Sequence, residues 1–276
     1  MAGSLYIVAT PIGNLDDITK RAANMLEHVE LIAAEDTRHS RKLLNHLGID
    51  NEIIAYHEHN EEKLTNQLIE KLIEGKSIAL ISDAGTPLIS DPGFKLVSAA
   101  HDKNITVVPI PGPSAVIAGL TASGLSCDKF VFHGYLSPKS SSRQKYLKTL
   151  LTESKTLVFY EAPHRILDLI EAMYSIFGEF RCVTIARELT KKHEQIVRDT
   201  LSNIKFKIEN NEIKNKGEFV VILEGNKNNL VKDSEILRIN KILTEIVSPK
   251  DAVLLTAKIT KRKKNEIYKL VHKTAK

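Results

Sequence analysis

The chain has 276 residues, of which 42% are hydrophobic and 26% are charged, as in a typical soluble globular protein. No apolar run approaches the roughly 20 residues needed to cross a bilayer, and no basic secretory signal opens the chain, so we expect a cytoplasmic protein. The net charge is +5, but the last 50 residues hold 13 Lys and Arg against 5 Asp and Glu, so the preceding body is mildly acidic.

Strand and helix patterns alternate from the N-terminus to about residue 123. Apolar runs predict five strands, at Leu5–Thr10, Leu31–Ala34, Glu52–Tyr56, Ser77–Ile81 and Ile105–Pro109. Helical spacing of apolar residues lies between them, most clearly over Thr37–Leu47 and Asn60–Glu74. Repeated strand–helix units predict an α/β domain over residues 1–123, with a mostly parallel sheet covered on both faces.

A small polar connection, Thr121–Asp128, precedes a second α/β domain, predicted over residues 124–225. Its strands are predicted at Phe130–His133, Thr156–Tyr160, Cys182–Ile185, Gln195–Val197 and Phe219–Leu223. No helical pattern separates the third and fourth of these, so we expect a mixed sheet. Cys127 and Cys182 match no metal-binding spacing and are predicted to be reduced thiols.

A basic helical tail is predicted over residues 226–276, after a linker at Gly225–Asp233. Its helical patterns are Ser234–Ile246, Pro249–Ile259 and Lys264–Lys273, and Thr260–Lys261 fits the turn of a helix-turn-helix-like unit. The charge favours an anionic partner, with RNA contact as the first candidate, but a lysine-rich solvated surface explains it equally well.

Polar residues, glycines and prolines concentrate in the loops that follow the first five predicted strands. If these strands are parallel, the loops meet at one edge of the sheet, where open α/β folds bind ligands. The loop Ser82–Gly93, SDAGTPLISDPG, leaves backbone groups free for a ligand, although an ordinary turn is the plainer interpretation.

Neither G-x-G-x-x-G nor a P-loop motif is present, which argues against NAD-type and P-loop nucleotide sites. The stiff loop around Gly112 suits a ligand with an adenine and an amino-acid end, such as S-adenosylmethionine.

Eight segments resemble, in order, the motif series of one methyltransferase family: LYIVATPIGNLDDIT, AEDTR, HEHN, SDAGTPLISDPG, VVPIPGPSA, FHGYLSPK, FYEAPHR and ARELTKKHE. The chain thus resembles the ribosomal RNA small subunit methyltransferase I family, in the tetrapyrrole methylase superfamily, over about residues 4–225. The resemblance implies two α/β domains with S-adenosylmethionine in the cleft between them. It also implies 2′-O-methylation of a cytidine in the decoding centre of 16S rRNA. The small ribosomal subunit or its RNA would be the partner, and a homodimer is common in the superfamily.

Cofactor contacts are implied by the same resemblance. The first domain would contribute Pro11, Ile12, Asp83, Gly85, Thr86, Ile89, Ser114 and Ala115, and the second Ala162 and Arg187. Many of these would be backbone contacts, so their side chains would matter for shape more than for charge.

Transfer of a methyl group to a ribose hydroxyl needs in-line positioning and help in removing the 2′-OH proton. Candidate residues for that step are Asp36, His57, Glu61, Glu161, His164 and Arg165. Asp36 fits a helix N-cap equally well, and Arg165 fits an RNA phosphate. His57 and His59 lack a third ligand, so no metal is predicted. We expect Glu161→Ala or Arg165→Ala to lower methyl transfer far more than thermal stability.

Two other functions remain open from the sequence. A methylase of the same superfamily acting on a porphyrin-like macrocycle would have no evident use for the basic tail. An RNA-binding assembly factor that merely keeps the fold would bind nucleic acid with strong salt dependence but would transfer no methyl group.

Overall fold

A parallel sheet forms the centre of the first domain, as predicted. The computed structural model describes residues 2–227, 233–260 and 262–273. The strands of this sheet are β1 (Ser4–Val8), β2 (Leu31–Ala34), β3 (Ile53–Ala55), β4 (Ile78–Ile81) and β5 (Thr106–Ile110). Their order is β3-β2-β4-β1-β5, and every neighbouring pair is parallel.

Helices cover both faces of this sheet, which explains why its strands are apolar runs without alternation. A short 3-10 turn at Leu15–Asp17 precedes α1 (Lys20–His28), which packs with α2 (Thr37–Leu47) on one face. On the other face lie α3 (Glu61–Ile73) and α4 (Phe94–Asp102). Because the five strands are parallel, the loops that follow them all leave the sheet at the same edge.

The second sheet is mixed, which confirms the prediction. Its strands are β6 (Phe130–Tyr135), β7 (Thr156–Glu161), β8 (Cys182–Arg187), β9 (Gln195–Thr200) and β10 (Phe219–Leu223). The order is β6-β7-β10-β8-β9; the neighbours β6 and β7 are parallel, and the other three neighbouring pairs are antiparallel. One face is covered by α6 (Ser140–Thr149), α7 (Ile166–Phe177) and α8 (Leu201–Glu209).

Helix α5 (Ala115–Ala122) follows β5 and packs on the other face of the second sheet, so it joins the two domains. A Cβ on Gly119 would lie 3.2 Å from Val220 Cγ1, so glycine allows the close approach of helix and sheet. The predicted connection at Thr121–Asp128 was wrong in its first two residues, which are helical. Because α5 is apolar on its exposed side as well, where Ile117 lies, it shows no amphipathic pattern that would mark its end. The domain boundaries at 123 and 225 stay predictions.

Three helices form the described part of the tail: α9 (Asp233–Thr244), α10 (Pro249–Thr260) and α11 (Lys264–Lys273). They bury a small core of their own, made of Ile236, Val253, Ala257 and Ile267. The predicted linker Gly225–Asp233 and the turn Thr260–Lys261 lie partly outside the described residues. Among the described helices, none is long and apolar enough to cross a membrane.

Candidate active site

A cleft of about 220 Å³ lies between the loop edge of the first sheet and the second sheet. Loops after β1, β2, β4 and β5 reach it, whereas the loop after β3 does not. First-domain residues in its walls are Ile12, Glu35, Asp83, Ala84, Gly85, Thr86, Ile89, Ser90, Asp91, Ser114 and Ala115. The second domain contributes Tyr135, Tyr160, Ala186, Leu189, Glu218, Phe219 and Val220.

Gly85 joins two of the loops at the floor of the cleft. Its N–H donates to the Thr10 carbonyl at 3.0 Å, and its own carbonyl accepts from Thr10 N–H at 2.9 Å. Gly85 has a φ of +85°, a left-handed conformation that costs other residues about 1–2 kcal/mol. A Cβ there would also lie 3.2 Å from Ile12 Cγ2, so the glycine keeps this wall both bent and close.

The N-terminus of α5 opens onto the cleft through Ser114 and Ala115. The preceding loop is held in place by Thr86, whose hydroxyl donates to the Pro113 carbonyl at 3.0 Å. The first N–H groups of a helix have no partner within the helix, so they can bind oxygen atoms of an anionic ligand.

The later part of the Ser82–Gly93 loop is strained. Leu88 and Ser90 have φ angles of 73° and 69°, in the left-handed region where residues with a side chain are uncommon. Ile89, which lies between these two residues, and Asp91, which follows them, both line the cleft. The strained turn therefore presents one apolar and one carboxylate side chain to a ligand.

Three carboxylates, Glu35, Asp83 and Asp91, make the first-domain wall acidic. Asp83 Oδ1 accepts from the Asp36 N–H at 3.0 Å, and Glu35 Oε2 accepts from the Asp83 N–H at 3.3 Å. Burial raises the pKa of Glu35 above its usual value. Burial, together with the nearby charges of Glu35 and Asp83, raises the pKa of Asp91 to about 6.

Two tyrosines form part of the opposite wall. Tyr135 is 55% exposed, and its ring lies 5.5 Å from that of Tyr160, which packs edge-on against Phe132 at 4.9 Å. Burial raises the pKa of Tyr160 to about 12, so its phenol stays neutral over the physiological range. The cleft thus combines carboxylates, a helix N-terminus and an aromatic surface.

Comparison with known proteins agrees with this architecture. The family model described as Tetrapyrrole (Corrin/Porphyrin) Methylases matches residues 4–205. A Xylella fastidiosa protein is 47% identical over 267 residues, covering 96% of this chain and 98% of that protein. A Synechocystis protein is 50% identical over 224 residues, covering 81% and 79% of the two chains. Both are named ribosomal RNA small subunit methyltransferase I.

The chain belongs to the ribosomal RNA small subunit methyltransferase I family of tetrapyrrole methylases. Solved structures show the same fold at low sequence identity. The methyltransferase CobJ matches with a TM-score of 0.60 at 17% identity, covering 82% of this chain and 95% of its own. A uroporphyrin-III C-methyltransferase from Thermus thermophilus, complexed with S-adenyl homocysteine, matches with a TM-score of 0.56 at 17% identity, covering 80% and 97%.

Most of the cofactor residues implied by the family motifs line the cleft: Ile12, Asp83, Gly85, Thr86, Ile89, Ser114 and Ala115. Pro11 lines a neighbouring pocket instead, and Ala162 and Arg187 line neither. The Arg187 guanidinium donates to the carbonyls of Lys216 and His193 at 2.6 and 3.1 Å, so it holds two loops together. The cofactor role of each of these residues stays a prediction.

Glu161 and Arg165 lie outside the cleft and form a buried ion pair, with nitrogen and oxygen 2.9 Å apart. Glu161 also accepts from the Ala162 N–H at 2.9 Å, and Arg165 donates to the Leu136 carbonyl at 2.6 Å. These bonds fix the chain beside Tyr135, which gives the pair a positioning role. Loss of Glu161 would leave Arg165, whose side chain is 17% exposed, without its counter-ion, so we also expect a loss of stability. That methyl transfer falls far more than stability stays a prediction.

The other candidates for the proton step also lie outside the walls of the cleft. Asp36 caps α2 by accepting from the Arg38 N–H at 2.8 Å, which agrees with the alternative interpretation of Asp36 as a helix N-cap. The Arg38 side chain holds the pKa of Asp36 well below its usual range. Glu61 pairs with Lys95 at 3.2 Å.

His57 and His164 do not line the cleft either. The His57 N–H donates to Asn60 Oδ1 at 2.9 Å, and the rings of His57 and His59 lie 5.8 Å apart, while His164 is exposed. Within the described ranges, no cluster of three metal-ligating side chains exists.

Four residues of the cleft were not predicted as site residues, although each lies in one of the family motifs: Glu35, Asp91, Tyr135 and Tyr160. Asp91 stands in the same loop as Asp83, and Tyr160 directly precedes Glu161. Motif membership marked the right segments, but it did not show which side chains face the cleft.

Proposed function

We propose that this protein transfers a methyl group from S-adenosylmethionine to the 2′-hydroxyl of a cytidine in the decoding centre of 16S rRNA. The names of its relatives support small-subunit ribosomal RNA as the substrate. The observation that carries the proposal is the cleft between the domains, where a helix N-terminus, a glycine turn and three carboxylates converge. The basic tail, which a macrocycle methylase would not need, favours RNA over the alternative substrate class.

The residues of the cleft fit S-adenosylmethionine, which supplies an electrophilic methyl group on a sulfonium when bound. Ile12 and Leu189 provide apolar surface beside the Gly85 turn, where a Cβ would narrow the space. The first N–H groups of α5 can bind the carboxylate of an amino acid. The carboxylates of Glu35, Asp83 and Asp91 favour the positive charges of a sulfonium and an ammonium group.

Asp91 is our candidate for the group that accepts the 2′-hydroxyl proton. It lines the cleft, and its pKa of about 6 makes its ionised form a stronger base than an ordinary aspartate. The proton would move from the ribose oxygen to a carboxylate oxygen as the oxygen–methyl bond forms and the sulfur–methyl bond breaks, which would leave S-adenosylhomocysteine. Tyr135, exposed on the opposite wall, offers a ring on which the cytosine can stack.

Mass spectrometry of 16S rRNA from cells with and without the protein tests the function. We expect the decoding-centre cytidine to lose its ribose methyl group when the protein is absent and to regain it when the wild type is restored. The Asp91→Asn variant should fail to restore it. A decoding-centre cytidine whose methylation is unchanged between the two strains would refute the proposal.

Purified protein separates the two alternatives. Equilibrium dialysis with S-adenosylmethionine should show binding, whereas an assembly factor that only keeps the fold should bind none. Methyl transfer to a porphyrin-like macrocycle in place of small subunits would favour the macrocycle methylase.

We further propose a cytoplasmic homodimer, divided into domains at residues 123 and 225, with the tail as an RNA contact. The resemblance to the family supports the dimer, and light scattering of the purified protein tests it directly. Thirteen Lys and Arg in the last 50 residues support the role of the tail.

A further inference from the structure

A second pocket, of about 350 Å³, lies beside the cleft. The two share Ile12, Asp83, Ala84 and Glu218, so a ligand in one lies against the wall of the other. The remaining walls of the second pocket come mainly from the loop after β1 and from α2, with Ser82 and Lys191 completing them. We call this space the α2 pocket.

Helix α2 is basic within a mildly acidic body. Its eleven residues include Arg38, Arg41, Lys42 and two histidines but no acidic residue. Arg38 pairs with Asp36 at 2.8 Å and Arg41 with Asp50 at 3.3 Å. Lys42 lines the α2 pocket, and no carboxylate in the described ranges forms an ion pair with it.

Ser40 supplies an independent sign of a ligand. The residue is 3% exposed and lines the α2 pocket, yet its hydroxyl has no hydrogen-bond partner among the described residues. A buried hydroxyl is normally satisfied, so one that remains unpaired at the wall of a pocket is available to a ligand oxygen.

The acidic groups of the α2 pocket are partly neutralised from the second domain. Lys191 pairs with Glu218 at 2.9 Å and with Glu188 at 3.0 Å. Its side chain lies so close to the β1 loop that any side chain at Gly13 would collide with it. The remaining carboxylate in the walls, Asp83, lies on the side shared with the cleft.

We propose that the α2 pocket binds a backbone phosphate of the rRNA substrate, next to the ribose that is methylated. The inference rests on the proposed function. A ribose within an RNA chain carries a phosphate on either side, and Glu35 and Asp91, which line the cleft but not the α2 pocket, repel phosphate. Lys42 and the Ser40 hydroxyl can receive one, since both line the pocket that adjoins the cleft and neither has a partner among the described residues.

Kinetics with small ribosomal subunits over a range of salt concentrations test the assignment. Lys42→Ala should raise KM roughly tenfold, leave kcat unchanged and reduce the slope of log KM against log salt by about one. Lys42→Glu should have a larger effect, and Lys42→Arg should restore most of the wild-type KM. Ser40→Ala should raise KM without lowering the melting temperature, because it removes an unsatisfied group.

Lys148→Glu is the matched control, since Lys148 is an exposed residue at the end of α6 and lines neither space. Binding of S-adenosylhomocysteine should be unchanged in every variant, which shows that the cleft is intact. If Lys42→Glu and Lys148→Glu give the same KM and salt slope, the assignment is overturned while the methyltransferase function stands.

Equilibrium binding to 16S rRNA in the same salt series separates the two proposals if the wild type shows no methyl transfer. In that case weaker binding by Lys42→Glu than by Lys148→Glu supports the phosphate site, although the proposed function falls. Equal binding by the two variants overturns the phosphate site as well.

Discussion

Replacing Asp91 with Asn tests the electrostatics of the cleft most directly, because it removes a charge and keeps the shape. The pKa of Asp91 is raised from 3.8 to about 6, mainly by burial and then by the charges of Glu35 and Asp83. At about 1.36 kcal/mol per pKa unit this corresponds to about 3 kcal/mol. Since the carboxyl group is partly open to water, we reduce the figure to about 1–2 kcal/mol.

The sign of the effect follows from the direction of the shift. A carboxyl group with a raised pKa in the folded state adds stability below its unfolded pKa of 3.8, and this is lost as the pH rises through about 6. Above that pH the ionised Asp91 opposes folding. We therefore expect Asp91→Asn to raise the free energy of unfolding by about 1–2 kcal/mol at pH 8.

Activity should change in the opposite direction. Wild-type kcat should rise with pH through about 6 and then level off, because only ionised Asp91 can accept the proton. In Asp91→Asn we expect kcat to fall by at least about 100-fold and this pH dependence to disappear. Single-turnover methyl transfer and denaturant unfolding, each measured from pH 5 to 8, provide the two readouts.

Asp102→Asn, at the exposed end of α4, is the matched control and should change neither quantity. If Asp91→Asn is less stable than the wild type at pH 8, ionised Asp91 does not oppose folding and the electrostatic argument is wrong. One that keeps wild-type kcat, with the same rise through pH 6, would show that another group takes the proton.

Three further predictions concern the rest of the molecule. Gly85→Ala should lower the free energy of unfolding by about 1–2 kcal/mol, because residue 85 has a left-handed φ. Calorimetry should also show weaker S-adenosylhomocysteine binding, because the new Cβ crowds Ile12. Glu161→Ala should lower the free energy of unfolding by about 3–5 kcal/mol, since it leaves the Arg165 charge buried and unpaired; equal denaturation midpoints would contradict the positioning role. Removal of the tail after residue 227 should leave S-adenosylhomocysteine binding unchanged but weaken RNA binding and flatten its salt dependence, measured by filter binding. Unchanged salt dependence would argue for the solvated-surface interpretation of the tail.

The fold could be predicted because its main signals are local. Apolar runs separated by helical patterns indicated a parallel sheet, and the missing helix between β8 and β9 indicated a mixed one. Helix α5 was not delimited, since its residues are apolar on the sides that meet both domains and its end carries no periodic signal. Its role in joining the domains depends on contacts between residues about 100 positions apart, such as Gly119 and Val220.

The sequence predicted the segments that form the site but not all of the side chains that face it. One physical cause explains why Glu161 and Arg187 were predicted in place of their neighbours. Successive residues of a strand point to opposite faces of a sheet. In β7, Tyr160 lines the cleft and Glu161 does not; in β8, Ala186 lines it and Arg187 does not. Each prediction was therefore one residue away from the side chain that faces the cleft.

Strand register explains why the two differences coincide. Tyr160 and Ala186 are both paired with Val220, on either side of β10, so these three residues form one row across the sheet and line the cleft. Glu161 and Arg187 are both paired with Phe219 and belong to the next row, of which Phe219 also lines the cleft but Glu161 and Arg187 do not. Both faces of this sheet are covered, so Leu157, Val158 and Phe159 are all apolar and show no alternation from which the phase could be determined. Which residues of β7 and β8 face the cleft therefore depends on how these strands pair with β10. No single segment of the sequence contains that pairing.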